Sequence, residues 1–261
     1  MRGISEVTAT PWLCALLLCA ALIATPAHAV PDPSRDVLWT ALQGCILAKK
    51  TLGRTFPCLA VDLGDKGYPG TAVLRAPGQP THTVVMPTDN VVGLEAPELQ
   101  GASGNTYWRA TLAARSYVTD ALKGRLPIEE VGMAVNSAGG RSQDQLHIHL
   151  DCIKPGVRAA LQRYGHSVKG QWAPLPIALQ GSRFFAMRIS AGEAASFNPF
   201  AALAHLPGRQ TSPRATSVAV ISTSQHEPDK GFYVLAHRAP DSHAEKLLDH
   251  SCAAASKSAT R

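Results

Sequence analysis

Two histidines stand two positions apart, His147 and His149, in the run QDQLHIHLDC at residues 143–152. In a strand, successive side chains face opposite ways. Leu146, Ile148 and Leu150 then take the core, while Gln145, His147, His149 and Asp151 share one polar face. Just upstream, residues 137–141 read SAGGR. Gly139 and Gly140 allow backbone shapes that bring N–H groups close to an anion. An imidazole is a competent nucleophile toward phosphorus, and a neighbouring one can donate to a phosphate oxygen. The chemistry this arrangement suits is a two-step displacement at a pyrophosphate through a phosphohistidine, with no metal ion or other cofactor.

Other chemistries fit less well. Half a zinc site would need a third ligand from elsewhere, such as Asp151 or His166, and no HExxH or CxxC spacing supports it. A serine hydrolase wants a G-x-S-x-G elbow, and residues 101–104, GASG, have the wrong form. Phosphate-loop and dinucleotide fingerprints are absent, as is any pair of H-x-S/T motifs. The remaining histidines, among them His82, His166 and His250, follow no pattern and read as solvated or core-capping. Tyr107 and Trp108 read as core. Lys154 and Arg158 read as solvated surface.

The elements that must position the pair follow from periodicity. Helices are expected over 36–50, 105–122, 154–164 and 194–205. Strands are expected over 70–74, 83–86, 131–136, 143–153, 175–179, 183–189, 217–222 and 231–237. A hairpin, helix and strand pair in the first half has a looser echo in the second. No low-complexity linker divides them, which predicts one α+β domain over residues 30–261.

Residues 1–29 read as a signal peptide or N-terminal membrane anchor. An uncharged apolar run of 14 residues, Pro11 to Ala24, is followed by Ala27-His28-Ala29, a small-x-small cleavage pattern. Fourteen residues make about 21 Å of helix against a hydrocarbon core of roughly 30 Å, which favours cleavage. Beyond that segment four cysteines remain, Cys45, Cys58, Cys152 and Cys252. In an exported chain these suggest two disulfides with three connectivities. Cys45–Cys58 with Cys152–Cys252 is the pairing expected, set against four free thiols. The net charge of +6 suits an anionic partner, either a phosphate substrate or a membrane surface. No basic run or aromatic-basic module points to nucleic acid.

The stretch VNSAGGRSQDQLHIHLDCIKPGVR resembles the histidine-triad superfamily, with its His-φ-His-φ-His-φ-φ motif, and more closely the CDP-diacylglycerol pyrophosphatase family. The resemblance extends to VVMPTDNVVGLEAP, WAPLPIALQG and the four-cysteine layout, and so to nearly the whole mature chain. It implies a HIT-like antiparallel sheet with flanking helices, with room for a degenerate second HIT-like half. It implies hydrolysis of CDP-diacylglycerol, a lipid nucleotide, to CMP and phosphatidate at the periplasmic side of an inner membrane. By position, His147 matches the attacking histidine and His149 the one that contacts phosphate. Asn136 and Ser142 match substrate-binding loop positions. Gln145 stands where the first histidine would be, and an amide cannot titrate. That departure leaves an exported, non-catalytic binder of nucleotide or anionic lipid as the alternative.

Overall fold

Helix α1 (Val37–Leu52) buries Leu42, Cys45 and Ile46 on one stripe and stops at Gly53, whose φ of 66° turns the chain so that its own N–H caps the Lys49 carbonyl and the Arg54 N–H caps that of Ala48. The computed structural model describes residues 33–208 and 212–258. The expected export segment lies outside them. Among the described residues no helix is long and apolar enough to cross a membrane.

Among the described residues ten strands follow, interleaved with three more α-helices. They are β1 (Ala60–Asp65), β2 (Tyr68–Arg75), β3 (Thr83–Pro87), α2 (Ala102–Ala121), β4 (Val131–Val135), β5 (Ile148–Ile153) and α3 (Pro155–Tyr164). Then come β6 (Ala173–Leu179), β7 (Ser182–Ser190), β8 (Thr216–Ser222), β9 (Gly231–Arg238), β10 (Leu248–Asp249) and α4 (Ala253–Ser258). The strands make one sheet in the order β1-β2-β3-β5-β4-β8-β9-β7-β6, with β10 also paired to β5. Every pairing among them is antiparallel. The protein is α+β, as expected.

The sheet is covered on both faces. On one, Met133, Ile148, Leu150 and Val220 pack with Tyr107 and Trp108 of α2. On the other, α1 covers Ala72, Val84 and Met86 of β2 and β3. On that same face α3 covers Ala134, Ile221 and Leu235 of β4, β8 and β9. In register, His149 stands between Val84 and Ala134. The second face therefore has an apolar patch on each side of β5 and a polar strip along β5 itself. β3 pairs the first half of β5 and β10 the second, at Ile153 and Cys152. This brings the C-terminal segment alongside the strip. Both expected disulfides are present, Cys45–Cys58 and Cys152–Cys252.

Three expectations need correction. The strand foreseen over 143–153 begins at Ile148. Continuing the register would set Leu146 against Pro87, which has no N–H for the ladder. Residues 143–146 are held elsewhere: Gln143 accepts from the N–H of Leu38, Asp144 pairs with Arg35, and the N–H of Leu146 bonds to the Val91 carbonyl. The helix foreseen over 194–205 is only a 3₁₀ turn at Ala201–His205. Pro199 disfavours helix at the residue before it, and the Asn198 side chain takes the N–H groups of Phe200 and Ala201. Arg158, read as surface, is buried against Glu130 and the carbonyls of Glu129 and Ser222.

Candidate active site

His147 sits just before β5 and is buried. Its Nδ1 lies 2.7 Å from the carbonyl oxygen of Gln145. A carbonyl only accepts, so Nδ1 carries the hydrogen and Nε2 is left with its lone pair. Burial holds the His147 pKa below its ordinary value, so the ring is neutral at neutral pH. His149 lies beside it, with ring centroids 4.7 Å apart and planes nearly perpendicular at 78°. Its Nδ1 lies 2.9 Å from His82 Nε2 and 3.1 Å from a Glu245 carboxylate oxygen. Its Nε2 is buried without a hydrogen-bond partner. Burial, reinforced by neighbouring His147, keeps the His149 pKa well below its usual value.

Behind these two rings lies a charged cluster from distant parts of the chain. Glu245 accepts from Asn136 Nδ2 at 2.8 Å, and His250 Nε2 lies 3.2 Å from its carboxylate. Burial pushes its pKa up, but the bonds from His250 and Asn136 and the nearby His149 pull harder and hold it well below the carboxylate range. The Nδ1 of His250 donates to Asp151 at 2.8 Å. The bonds to Asp151 and then Glu245 raise the His250 pKa to about 9, so it is a cation at neutral pH. His82 stacks on His250 at 4.0 Å. Its own pKa is lowered by burial and by that cation.

The expected site residues divide. His147, His149, Gln145 and Asn136 come together; Ser142 is exposed, and its side chain does not join the cluster. Gln145 donates from Nε2 to the carbonyls of Pro87 and Asp89, both at 2.9 Å. Those bonds fix the amide, and its Oε1 is buried without a partner. Asn136 is engaged on both ends by Glu245, since its Oδ1 also accepts the Glu245 N–H at 3.1 Å. The glycine loop does not offer free donors. The Gly139 N–H goes to Pro240 and the Gly140 N–H to Ser137. Glycine is needed there for closeness instead: a Cβ would sit 2.5 Å from the Pro240 oxygen at Gly139 and 2.4 Å from the Ser242 oxygen at Gly140. Trp108 and Tyr107 are core, and Trp108 Nε1 donates to the Ala194 carbonyl.

The zinc partners considered for this pair are otherwise placed. Asp151 binds His250, and His166 lines a separate cavity with Lys169, Arg188 and Glu227. Among the described residues two sets have metal-ligand spacing: Asp151 with Cys152 and Cys252, whose sulfurs are joined to each other, and His82, His149 and Glu245, whose ligand atoms lie within 4.8 Å of one another. Those atoms are already close enough to share hydrogens. His82, Glu245 and His250 were not legible as site residues. One signal pointed to the last two: a Cys152–Cys252 bridge draws their segment beside His149 and Asp151.

An α+β sheet with a buried histidine pair backed by a carboxylate–imidazolium cluster is the setting in which the relatives can be compared. Residues 33–256 match the model of the family described as "CDH: CDP-diacylglycerol pyrophosphatase". The CDP-diacylglycerol pyrophosphatase of Yersinia pestis is 31% identical over 92% of this chain and 93% of its own length. The probable CDP-diacylglycerol pyrophosphatase of Mycobacterium leprae is 30% identical over 86% and 82%. That of Mycobacterium tuberculosis is 32% identical over 90% of each. The chain belongs to the CDP-diacylglycerol pyrophosphatase family. A solved DUF4931 family protein from Bacillus cereus aligns at 13% identity over 76% of this chain with a TM-score of 0.36, too loosely to inform the fold.

Proposed function

We propose that this protein hydrolyses CDP-diacylglycerol to CMP and phosphatidate through His147. The Nε2 lone pair attacks the phosphorus that bears cytidine. The P–O bond to the lipid phosphate breaks, and phosphatidate leaves with the electron pair. Water then attacks phosphorus, the P–N bond breaks, and CMP departs while the pair returns to His147. Family membership supports the substrate. One observation carries the mechanism: the Gln145 carbonyl holds the hydrogen on Nδ1 and presents a neutral, unbonded Nε2. Orphaned polar atoms on both neighbours, Gln145 Oε1 and His149 Nε2, support a substrate or water at the same place.

The fold reading is a HIT-like sheet in a single catalytic domain over 30–261. The setting is the outer face of a membrane, reached by export. Two disulfides, the apolar run at 11–24 and the positive net charge support it. Incubation with CDP-diacylglycerol in detergent with chelator present should release CMP, and rapid quenching should trap a CMP adduct on His147. His147→Ala should abolish both and leave thermal unfolding nearly unchanged. CMP release at the original rate from that variant would remove the nucleophile. Binding of the lipid without release by the unaltered protein would leave a binding protein.

A further inference from the structure

We propose that Glu245 makes His149 the base that activates water for discharge of the His147 adduct. This deepens the reading above and rests on it. The geometry assigns the hydrogens. Gln79 Oε1, an acceptor, lies 2.8 Å from His82 Nδ1, so the hydrogen of neutral His82 is there and its Nε2 has a lone pair. His149 Nδ1 therefore donates to His82 Nε2 at 2.9 Å, and the Glu245 carboxylate lies 3.1 Å from the same nitrogen. The opposite atom, His149 Nε2, must carry a lone pair while the ring is neutral. It is buried and has no partner. Leaving such an atom unsatisfied is destabilising, which makes its persistence beside the nucleophile informative. A water that donates to it fills the vacant bond and stands next to His147.

The cluster behind Glu245 holds it to this role. Asn136 grips the residue at side chain and backbone, 2.8 and 3.1 Å. His250 bridges Glu245 and Asp151 at 3.2 and 2.8 Å. Two carboxylates around one imidazolium leave one net negative charge against His149. When His149 Nε2 takes the proton from water, the new imidazolium faces that charge through Nδ1–H. This is the arrangement of a base oriented and stabilised by a third group. The proton passes from water to Nε2 and on to solvent. The oxygen joins phosphorus, and the P–N electron pair returns to His147. No other reactant is needed. Glu245 touches neither phosphorus nor water and is a positioning residue.

The two half-reactions separate this role from a structural one. In single-turnover experiments with CDP-diacylglycerol in detergent, Glu245→Gln keeps the size of the side chain and removes its charge. Adduct formation should stay within about twofold, while adduct discharge should slow about 100-fold, the low end of what a positioned base contributes. The CMP adduct on His147 should then accumulate and be visible by mass spectrometry. His250→Gln, which loosens Glu245 without touching it, should slow discharge by a smaller factor and serves if the first variant fails to fold. Equal slowing of both steps, or discharge at the unaltered rate in either folded variant, would overturn the inference and leave the nucleophile standing. No adduct on the unaltered protein would overturn the reading beneath it and this inference together.

Discussion

The loop closed by Cys45–Cys58 and the segment held to β5 by Cys152–Cys252 are fastened by the same kind of bond and carry different things. The first bridge spans 13 positions and seats its sulfurs in the apolar cluster under α1. The residues around it, Leu52, Arg54 and Phe56, are exposed and far in sequence from the histidines. The second spans 100 positions, and the segment leading to it holds Glu245 and His250. An apolar segment finds its place by burial. A polar cluster gains little from burial until every partner has arrived. A covalent tie beside such a cluster therefore does what packing cannot.

Breaking the two ties should separate these roles. Cys152→Ala with Cys252→Ala should destabilise the fold by up to about 4.7 kcal/mol by loop entropy. It should also lower CMP release at least tenfold at a temperature where the variant is folded, because Glu245 and His250 lose their tether. Cys45→Ala with Cys58→Ala should cost about 3 kcal/mol on the same reasoning and leave kcat within about twofold. Calorimetry and CMP release measured on both pairs check this. Equal activity loss from both would erase the contrast.

Glycines sharpen it at lower cost. A Cβ at Gly140 meets the Ser242 backbone oxygen at 2.4 Å, in the stretch that leads to Glu245. Gly140→Ala should destabilise by about 1–3 kcal/mol and reduce activity as that stretch shifts. Gly53 has open space around it but a φ of 66°. Gly53→Ala should cost about 1–2 kcal/mol through backbone strain alone, with activity unchanged. The smallest effect is in pH. The folded pKa of His250 is raised from 6.5 to about 9. Its contribution to stability is fully present below pH 6.5 and is lost as pH rises through about 9. His250→Gln should flatten that part of the stability profile, read as Tm against pH.

The sequence made the long-period features legible. Apolar spacing located α1, glycines and Asn105 bounded α2 at its ends, Pro155 marked the start of α3, and the alternation around His149 located β5. What it missed has physical reasons. β1, AVDLGD, is an edge strand with one buried side chain and so little apolar signature. β10 has two residues, too few to show a period. The expected strand over 143–147 was overridden by tertiary bonds to Arg35, Leu38 and Val91. His147 and His149 were visible because they are two apart. Glu245, His250 and His82 were not, because hydrogen bonds between groups 67 to 109 positions apart leave no local pattern. The glycine pair serves close packing and not anion binding: its N–H groups face the protein, and the loop needs glycine to lie against residues 240–242.

The pairing of β10 with β5 has a consequence for timing. A ribosome making about 5–20 residues per second needs on the order of 5–20 s to travel from Cys152 to Cys252, 100 positions on. Throughout that interval a nascent chain holds His147 and His149 but lacks the Glu245 carboxylate and the His250 imidazolium that stand behind them. The segment that carries them thus arrives late in translation, and the Cys152–Cys252 bridge fastens it to β5.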